Sequence, residues 1–420
     1  MPNPKCFDVL IVGAGPAGIA AGLAAVQSGA KVGIVDDNLL PGGQIYRGSH
    51  GSLNAGVRQK ADEAAKAGID FIGGTSIYDA PKSGTLYGWG SSGRTVLRFE
   101  KLIMAVGARE LFLPFPGWTL PNVMGIGGLQ AMVKGGLDVK GKRIVLAGTG
   151  PLLLAVASYL KQAGAHVVGL FEQAPWSSLI SFSISLASVP SKLNQAIPLL
   201  LDTMGTFKAG SWIVEATGTH QVESVTVETN GKRKTIACDY VACAYGFVPN
   251  IELPMLLGCQ IVDGKVEVDR NQRTSVEDIF CAGEPTGIGG VDLSEIEGAI
   301  AGHAAVGRTD LADRMLGQKA KWTRFADNLD KAFAIRPEIK NLAQPSTIIC
   351  RCEDVTVHDL ESVGDVRSAK LQTRCGMGAC QGRICGAATR FLYGWEQGTV
   401  RPPLIPVPLA GFEAESEAEN

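Results

Sequence analysis

Two glycine turns constrain this chain more than any other feature. Gly13-Ala-Gly15-Pro-Ala-Gly18 follows the apolar run Asp8-Val-Leu-Ile-Val, and Gly148-Thr-Gly150-Pro-Leu-Leu153 follows Arg143-Ile-Val-Leu-Ala. A short apolar run of this kind suits a strand buried on both faces. Each glycine then has a physical task. Gly13 permits a sharp turn, Gly15 lets backbone amides approach a pyrophosphate, and Gly18 lets the next helix lie close on the sheet. Beyond the first turn, which also holds Pro16 and Ala17, the sequence predicts a helix over Ile19–Ser28. A second strand, Lys31–Val35, ends in Asp36, placed to accept hydrogen bonds from a ribose diol. Strand, turn, helix, strand and acid in that order make a dinucleotide-binding unit.

The second unit departs from the pattern. Leu153 replaces the third glycine and would push its helix away from the sheet, and Pro151 removes one amide from the turn. The helix is expected to reach Ala163, and the strand Val167–Glu172 again ends in an acid. No arginine pair follows Glu172 to clasp a 2′-phosphate, which argues against NADPH. Gly148 and Gly150 are candidate nucleotide contacts; NAD, ATP and an empty scaffold all stay open.

FAD is the expected ligand of the first fold, with another adenine nucleotide as an alternative in one of the two. Pro41-Gly42-Gly43-Gln44 follows the second strand, where a glycine-rich loop would pass near a flavin. Gly107 joins the cofactor-binding set. Far downstream Thr274-Ser-Val-Glu-Asp-Ile-Phe-Cys-Ala leads to Gly283-Glu284, a strand ending in glycine and acid. Glu284 has a plainer alternative as a neighbour of a helix N-terminus.

Of the ten cysteines, Cys6, Cys238, Cys243, Cys259 and Cys281 sit in apolar contexts that suit buried thiols. The other five fall in Cys350-Arg-Cys352 and Cys375-Gly-Met-Gly-Ala-Cys380-Gln-Gly-Arg-Ile-Cys385. A secreted disulfide framework would not cluster at the end of a large enzyme-like chain, so metal is the better reading. Four thiolates with glycine-directed amides suit a 2Fe–2S cluster. Structural zinc is the rival, since four thiolates suit it too. The histidines His50, His166, His220, His303 and His358 are dispersed and are expected to be structural. No dithiol lies in the flavin region, which argues against disulfide reduction.

Net charge is −2, which excludes nucleic acid as an expected partner. Val9–Val35 is apolar enough to suggest a membrane span, but its glycines, Ser28 and Lys31 favour strand–helix–strand, so no transmembrane segment is expected. Met1–Asp8 has no basic leader, and a cytoplasmic location, peripheral to a membrane at most, is the default expectation.

Taken together, these parts resemble the A (alpha) subunits of opine oxidases, the B subunit of hydrogen cyanide synthase and the alpha subunits of D-hydroxyproline dehydrogenases. The resemblance covers nearly the whole chain. It is carried by Pro114-Phe-Pro-Gly-Trp118, Gly125-Ile-Gly-Gly-Leu-Gln130, Gly148-Thr-Gly-Pro-Leu-Leu-Leu154, Gly289-Gly-Val-Asp292, Gly376-Met-Gly-Ala-Cys-Gln-Gly-Arg383 and Arg401-Pro-Pro. It implies an α/β chain with two Rossmann-like dinucleotide-binding domains of the disulfide-reductase type, plus a small C-terminal domain like bacterioferritin-associated ferredoxin. On that match Cys350, Cys352, Cys380 and Cys385 are the ligands and Cys375 is spare, with Cys375 in place of Cys385 as the alternative. In related flavoproteins the acid matching Glu284 binds the ribityl chain.

The resemblance further implies that the chain is part of an FAD-dependent oxidoreductase for CH–NH donors. A partner related to D-amino-acid oxidase would oxidise the amino or imino acid. Further implications are an interfacial FMN and a small third subunit. A stand-alone NADH-dependent reductase is the alternative function. Expected boundaries are 1–110 with 245–310 for the FAD domain, 111–244 for the NAD-like domain, 311–346 for a helical connector, 347–395 for the cluster domain and 396–420 for a Pro-rich and acidic tail. The Pro-rich arm would either dock on another chain of an assembly or fray.

Overall fold

A computed structural model describes residues 3–45, 55–396 and 398–412. His50 and the acidic tail beyond 412 lie outside the described residues. The chain divides into two compact units. One comprises 1–109, 249–324 and 399–420, and the other 110–248 and 325–398.

In the first unit the apolar run forms the strand Lys5–Val12, parallel to Val32–Val35 on one side and to Gly93–Met104 on the other. Asp70–Ile72 extends the parallel sheet at one edge, and Ile279–Cys281 pairs with the end of Gly93–Met104. The hairpin Thr75–Lys82 and Thr85–Gly90 continues it antiparallel. The apolar stretch that could be taken for a membrane span is thus strand, helix Pro16–Val26 and strand. Among the described residues no helix is long and apolar enough to cross a membrane.

The helix Gly290–Ala305 packs on Pro16–Val26 through glycines spaced four apart. A Cβ on Gly298 would lie 2.0 Å from the carbonyl oxygen of Ala17, and one on Gly302 2.2 Å from that of Ala21. Only glycine allows two helix backbones this close.

The Pro-rich arm docks on its own chain. Leu404 donates its amide to the carbonyl of Tyr78 at 2.7 Å, and the Tyr78 hydroxyl donates to the carbonyl of Gly411 at 2.5 Å. Leu404 is buried beside the sheet core, where Pro residues can lie because an arm at a sheet margin needs few donors.

The second unit carries a parallel sheet in the order Phe207–Ala209, His166–Glu172, Arg143–Gly148, Tyr240–Ala244, Val123–Gly125. A three-stranded antiparallel sheet, Ser211–Thr217, Ser224–Thr229 and Lys232–Ala237, adjoins it in sequence. Leu153 is fully buried with Val156, Leu160, Ile144 and Leu146, so the position lacking glycine contributes core packing beneath its helix, Leu152–Gln162. The long helix Thr309–Ala332 leads into 333–346, and then to the cysteine-bearing hairpin Ile348–Cys350 with Val355–Thr356. Ile339, Ile348 and Phe391 pack with Trp118, Phe115 and Trp212, so the cysteine-bearing segment shares a core with the second dinucleotide fold.

Four of the five scattered cysteines are buried as expected, but Cys6 is exposed. It lies near the start of Lys5–Val12, whose first two residues are exposed.

Candidate functional site

The first glycine turn is built as a cradle. Gly13 has φ +106°, and a Cβ there would lie 2.2 Å from the carbonyl oxygen of Ala105. At Gly18 it would lie 1.8 Å from that of Gly13, whereas at Gly15 it would meet nothing within 4 Å. The turn is therefore closed towards the protein and open at Gly15. Gly15 is also the N-cap of Pro16–Val26, and no side chain caps that helix, so its amide end is available to an anion.

Asp36 is held for its task. Its Oδ2 accepts from the amide of Ala14 at 2.6 Å and its Oδ1 from the amide and side chain of Asn38, both at 2.8 Å. Sequence reasoning missed Asn38, which orients the carboxylate. Gly42 donates its amide to Ala14 at 2.7 Å, and a Cβ on Gly43 would come 3.1 Å from Gly15 Cα, so this loop folds onto the cradle. Gln44, just beyond it, is exposed. Gly107, at φ +66°, likewise opens to free space, and Asn250 donates its amide to the Gly107 carbonyl at 3.1 Å.

Gly283 adopts φ +79°, and a Cβ there would lie 2.9 Å from that of Ala17. Glu284 sits beside a helix end: its Oε1 accepts from the amide of Gly290 at 2.9 Å. Burial pushes its pKa up to about 7, opposed by the Gly290 amide and reinforced by Glu297. Sequence reasoning does not single out Glu297. It accepts from the Gly283 amide at 3.0 Å and the Thr286 hydroxyl at 2.9 Å, and Lys319 lies 3.5 Å away.

The second turn turns inward. Gly148 is pressed on Ala244, its Cβ position 1.9 Å from that carbonyl oxygen, while Gly150 opens to free space. Glu172 is 2% exposed. Its Oε2 accepts from the Gly150 amide at 2.8 Å, and its Oε1 from the Thr149 hydroxyl at 2.9 Å and the Ala174 amide at 2.8 Å. The next residue, Gln173, is fully buried. Its Nε2 donates to the carbonyl of Ala334 and its Oε1 accepts from the amide of Arg336, at 3.0 and 2.9 Å. Thr149 donates to the carbonyl of Phe333 at 3.2 Å, and the Arg336 guanidinium lies 4.8 Å from the Trp212 ring centre. Residues 333–336 thus form a strap at the carboxyl edge of the sheet, where nucleotides enter folds of this kind.

The five clustered cysteines form a trio and a pair. The sulfurs of Cys350, Cys375 and Cys385 lie within 4.8 Å of one another, and all three residues are buried. Cys352, exposed, accepts from the Cys380 amide and pairs with the Cys380 thiol. Burial pushes the Cys380 thiol up, but the amides of Ile384, Gly382 and Arg383 and the Cys352 thiol together hold it below the usual thiol range. Burial raises Cys350, against a donor from the Gly376 amide. A Cβ on Gly378 would lie 2.2 Å from Cys352 Cβ, so that glycine lets the two loops meet. The indole of Trp118 donates to the carbonyl of Ile348 at 2.6 Å and steadies the strand that carries Cys350. Amides aimed at sulfur stabilise thiolates, so this donor set fits an iron–sulfur cluster or zinc. Cys375, expected to be spare, lies within the buried trio.

A family model described as pyridine nucleotide-disulphide oxidoreductase matches residues 7–301. The chain belongs to that family. It is accordingly an α/β flavoprotein oxidoreductase with Rossmann-like folds. It is 31% identical to hydrogen cyanide synthase subunit HcnB of Pseudomonas protegens, covering 97% of each chain. It is 30% identical to the A-type subunit of the opine oxidase of Rhizobium meliloti, covering 96% of this chain and 86% of that one. Among solved structures, L-proline dehydrogenase from P. horikoshii superposes with a TM-score of 0.68 at 17% identity, over 98% of this chain and 80% of that one. Thioredoxin reductase of T. acidophilum gives a TM-score of 0.54 at 19% identity, over 75% and 99%. At such identities the structures speak for the fold alone.

Proposed function

We propose that this chain is the electron-transfer subunit of a hetero-oligomeric amino- or imino-acid dehydrogenase. The carrying observation is the buried trio of thiols beside the Cys352–Cys380 pair, with backbone amides aimed at sulfur, in a chain that also holds an open dinucleotide cradle. Its relatives from opine oxidase and hydrogen cyanide synthase are named as subunits, which supports a place in a larger assembly. Opine oxidase and the alpha chain of sarcosine oxidase, the latter 26% identical over 59% of this chain and 25% of that one, support C–N bond oxidation as the reaction of the assembly.

In this reading Gly13, Gly15, Pro16, Ala17 and Gly18 receive the pyrophosphate of FAD and Asp36 receives its ribose. Gly42, Gly43, Gln44, Gly107, Gly283 and Glu284 border the remainder. Cys350, Cys352, Cys380 and Cys385 hold a 2Fe–2S cluster. A bound flavin takes up electrons in pairs, and a cluster releases them singly. The partner resembling D-amino-acid oxidase would grip and oxidise the substrate. No described residue is assigned to an FMN or to a third subunit. We place the chain in the cytoplasm.

The strap weighs against the NADH-reductase alternative. It occupies the sheet edge beside Thr149 and Gln173, and Glu172 takes up the Gly150 amide. Purification of the chain tests the cofactor assignment. Expected are one FAD and about two iron atoms per chain, with sulfide in equal amount to iron. Zinc without flavin would overturn it.

A further inference from the structure

Glu297 is a buried carboxylate that the dinucleotide pattern does not call for, and its contacts converge on one segment of the first unit. That segment, Gly283-Glu-Pro-Thr-Gly287-Ile-Gly-Gly290, holds four glycines in eight residues. Gly283, Gly287 and Gly290 adopt φ of +79°, +148° and +77°. Glycine loses more conformational freedom on folding than any other residue, so a segment of this composition keeps one shape only if something outside holds it. Glu297, on the helix Gly290–Ala305, supplies the hold. Its Oε2 accepts from the Gly283 amide at 3.0 Å and from the Thr286 hydroxyl at 2.9 Å.

The carboxylate is in turn held by Lys319. The lysine Nζ lies 3.5 Å from Oε1 of Glu297 and donates to Oε1 of Gln272 at 3.0 Å. Gln272 is fully buried, and its carbonyl accepts from the amide of Cys281 at 3.0 Å, at the end of the strand Ile279–Cys281. One lysine thus reaches residues on both sides of the strand that leads into Gly283. Lys319 belongs to the helix Thr309–Ala332, past residue 301, where the family match ends. The side chains of Glu297 and Lys319 are only 7% and 20% exposed. Desolvation offsets much of the attraction in a buried ion pair, so stability alone explains this one poorly. The single geometry that it imposes explains it better.

That geometry bears on the cradle. A Cβ on Gly283 would lie 2.9 Å from that of Ala17, which stands in the first turn of the helix Pro16–Val26, so segment and cradle leave each other no slack. We propose that Glu297, held by Lys319, is a positioning residue for the flavin: it fixes the Gly283–Gly290 segment against Ala17 and with it one wall of the cradle. The inference rests on the reading of the cradle as an FAD site. Freeing the Gly283 amide lets the segment leave the cradle, and bound flavin is then released faster and held in less uniform surroundings.

The test follows flavin release from the full chain loaded with FAD, as recovery of free-flavin fluorescence well below the melting temperature, with visible circular dichroism of the bound flavin as a second readout. Glu297→Ala removes an acceptor of two hydrogen bonds and should release flavin at least ~tenfold faster than wild type, with a weaker dichroism band. Lys319→Met strands the carboxylate and should speed release at least ~threefold; it carries the comparison if Glu297→Ala does not fold. Glu297→Gln combined with Lys319→Met keeps a neutral acceptor for the Gly283 amide and should bring the rate back to within about threefold of wild type. Tyr78→Phe, which unties the arm from the strand Thr75–Lys82, is the control: it should lower the melting temperature and leave the release rate unchanged. Wild-type release from Glu297→Ala and Lys319→Met, or equal acceleration in Tyr78→Phe, overturns the positioning role and leaves the FAD reading standing. A wild-type chain that takes up no flavin at all overturns both.

Discussion

Gln173 and Ala334, 161 residues apart, are joined by a 3.0 Å hydrogen bond from the Gln173 side-chain amide to the Ala334 carbonyl. The same side chain accepts from the Arg336 amide, so one buried glutamine ties the strap to the second dinucleotide fold. The consequence is a prediction about nicotinamide nucleotides. NADH should show no saturable binding to the isolated chain up to about 1 mM, the upper end of ordinary substrate constants. Gln173→Ala strands a buried carbonyl and a buried amide and should destabilise the chain by roughly 1–3 kcal/mol in a denaturant titration. Micromolar NADH binding by the wild type would contradict the strap's role.

Gly298 and Gly302 make the second prediction. Alanine at either position drives a Cβ into the backbone of Pro16–Val26, 2.0 Å from Ala17 and 2.2 Å from Ala21. Overpacking of this kind costs about 1–3 kcal/mol. Because the displaced helix carries the cradle, each variant should also lose flavin, seen as a lower ratio of flavin to protein absorbance. Wild-type flavin content in both variants would show that the close helix contact does not support the cradle.

Glu172 gives a pH dependence. Burial lifts its carboxyl from an ordinary 4.5 to about 7, against donors from Ala174, Gly150 and Thr149. Between those values the folded chain keeps a proton that the unfolded chain has released. Stability from this group is therefore fullest below about 4.5, falls as pH rises towards 7 and is flat above. The fall amounts to roughly 3 kcal/mol. Glu284 slopes the same way, so the comparison that isolates Glu172 is wild type against Glu172→Gln, whose stability should decline less over that window. Parallel curves for the two proteins would refute it.

The cysteines divide by role. Serine at Cys350, Cys352, Cys380 or Cys385 should remove most of the iron, whereas Cys375→Ser should retain at least half. The position of Cys375 beside Cys350 and Cys385 makes this a close contest, and iron analysis with electron paramagnetic resonance of each reduced variant decides it. Loss of iron in Cys375→Ser with retention in Cys385→Ser would exchange the two assignments.

Features that the backbone itself demands were legible in the sequence. The turns at Gly13 and Gly148 require glycine wherever a chain doubles back against a neighbouring carbonyl, and the flanking apolar strands fix the direction of the sheet. The metal-like clustering of five cysteines was equally readable. Long-range polar contacts were not. Gln173 beside Ala334 and Arg336, and Trp118 beneath Ile348, join segments far apart in the chain and leave no periodicity to detect. The docking of the arm around Leu404 is hidden for a related reason: proline content describes a segment's stiffness, and its partner, Tyr78, lies in a distant hairpin. The Gly290 amide donates to Oε1 of Glu284 at the start of its helix, a helix end that Gly289-Gly290 could have signalled.

The most direct measurement is an anaerobic spectral titration of the chain, alone and with its co-expressed partner, against D-amino acids, opines and NADH in turn. Expected is bleaching of the flavin and cluster bands by an amino or imino acid only when the partner is present, with NADH inert towards the isolated chain. Rapid bleaching of the isolated chain by NADH would contradict the electron-transfer role and make the protein a reductase.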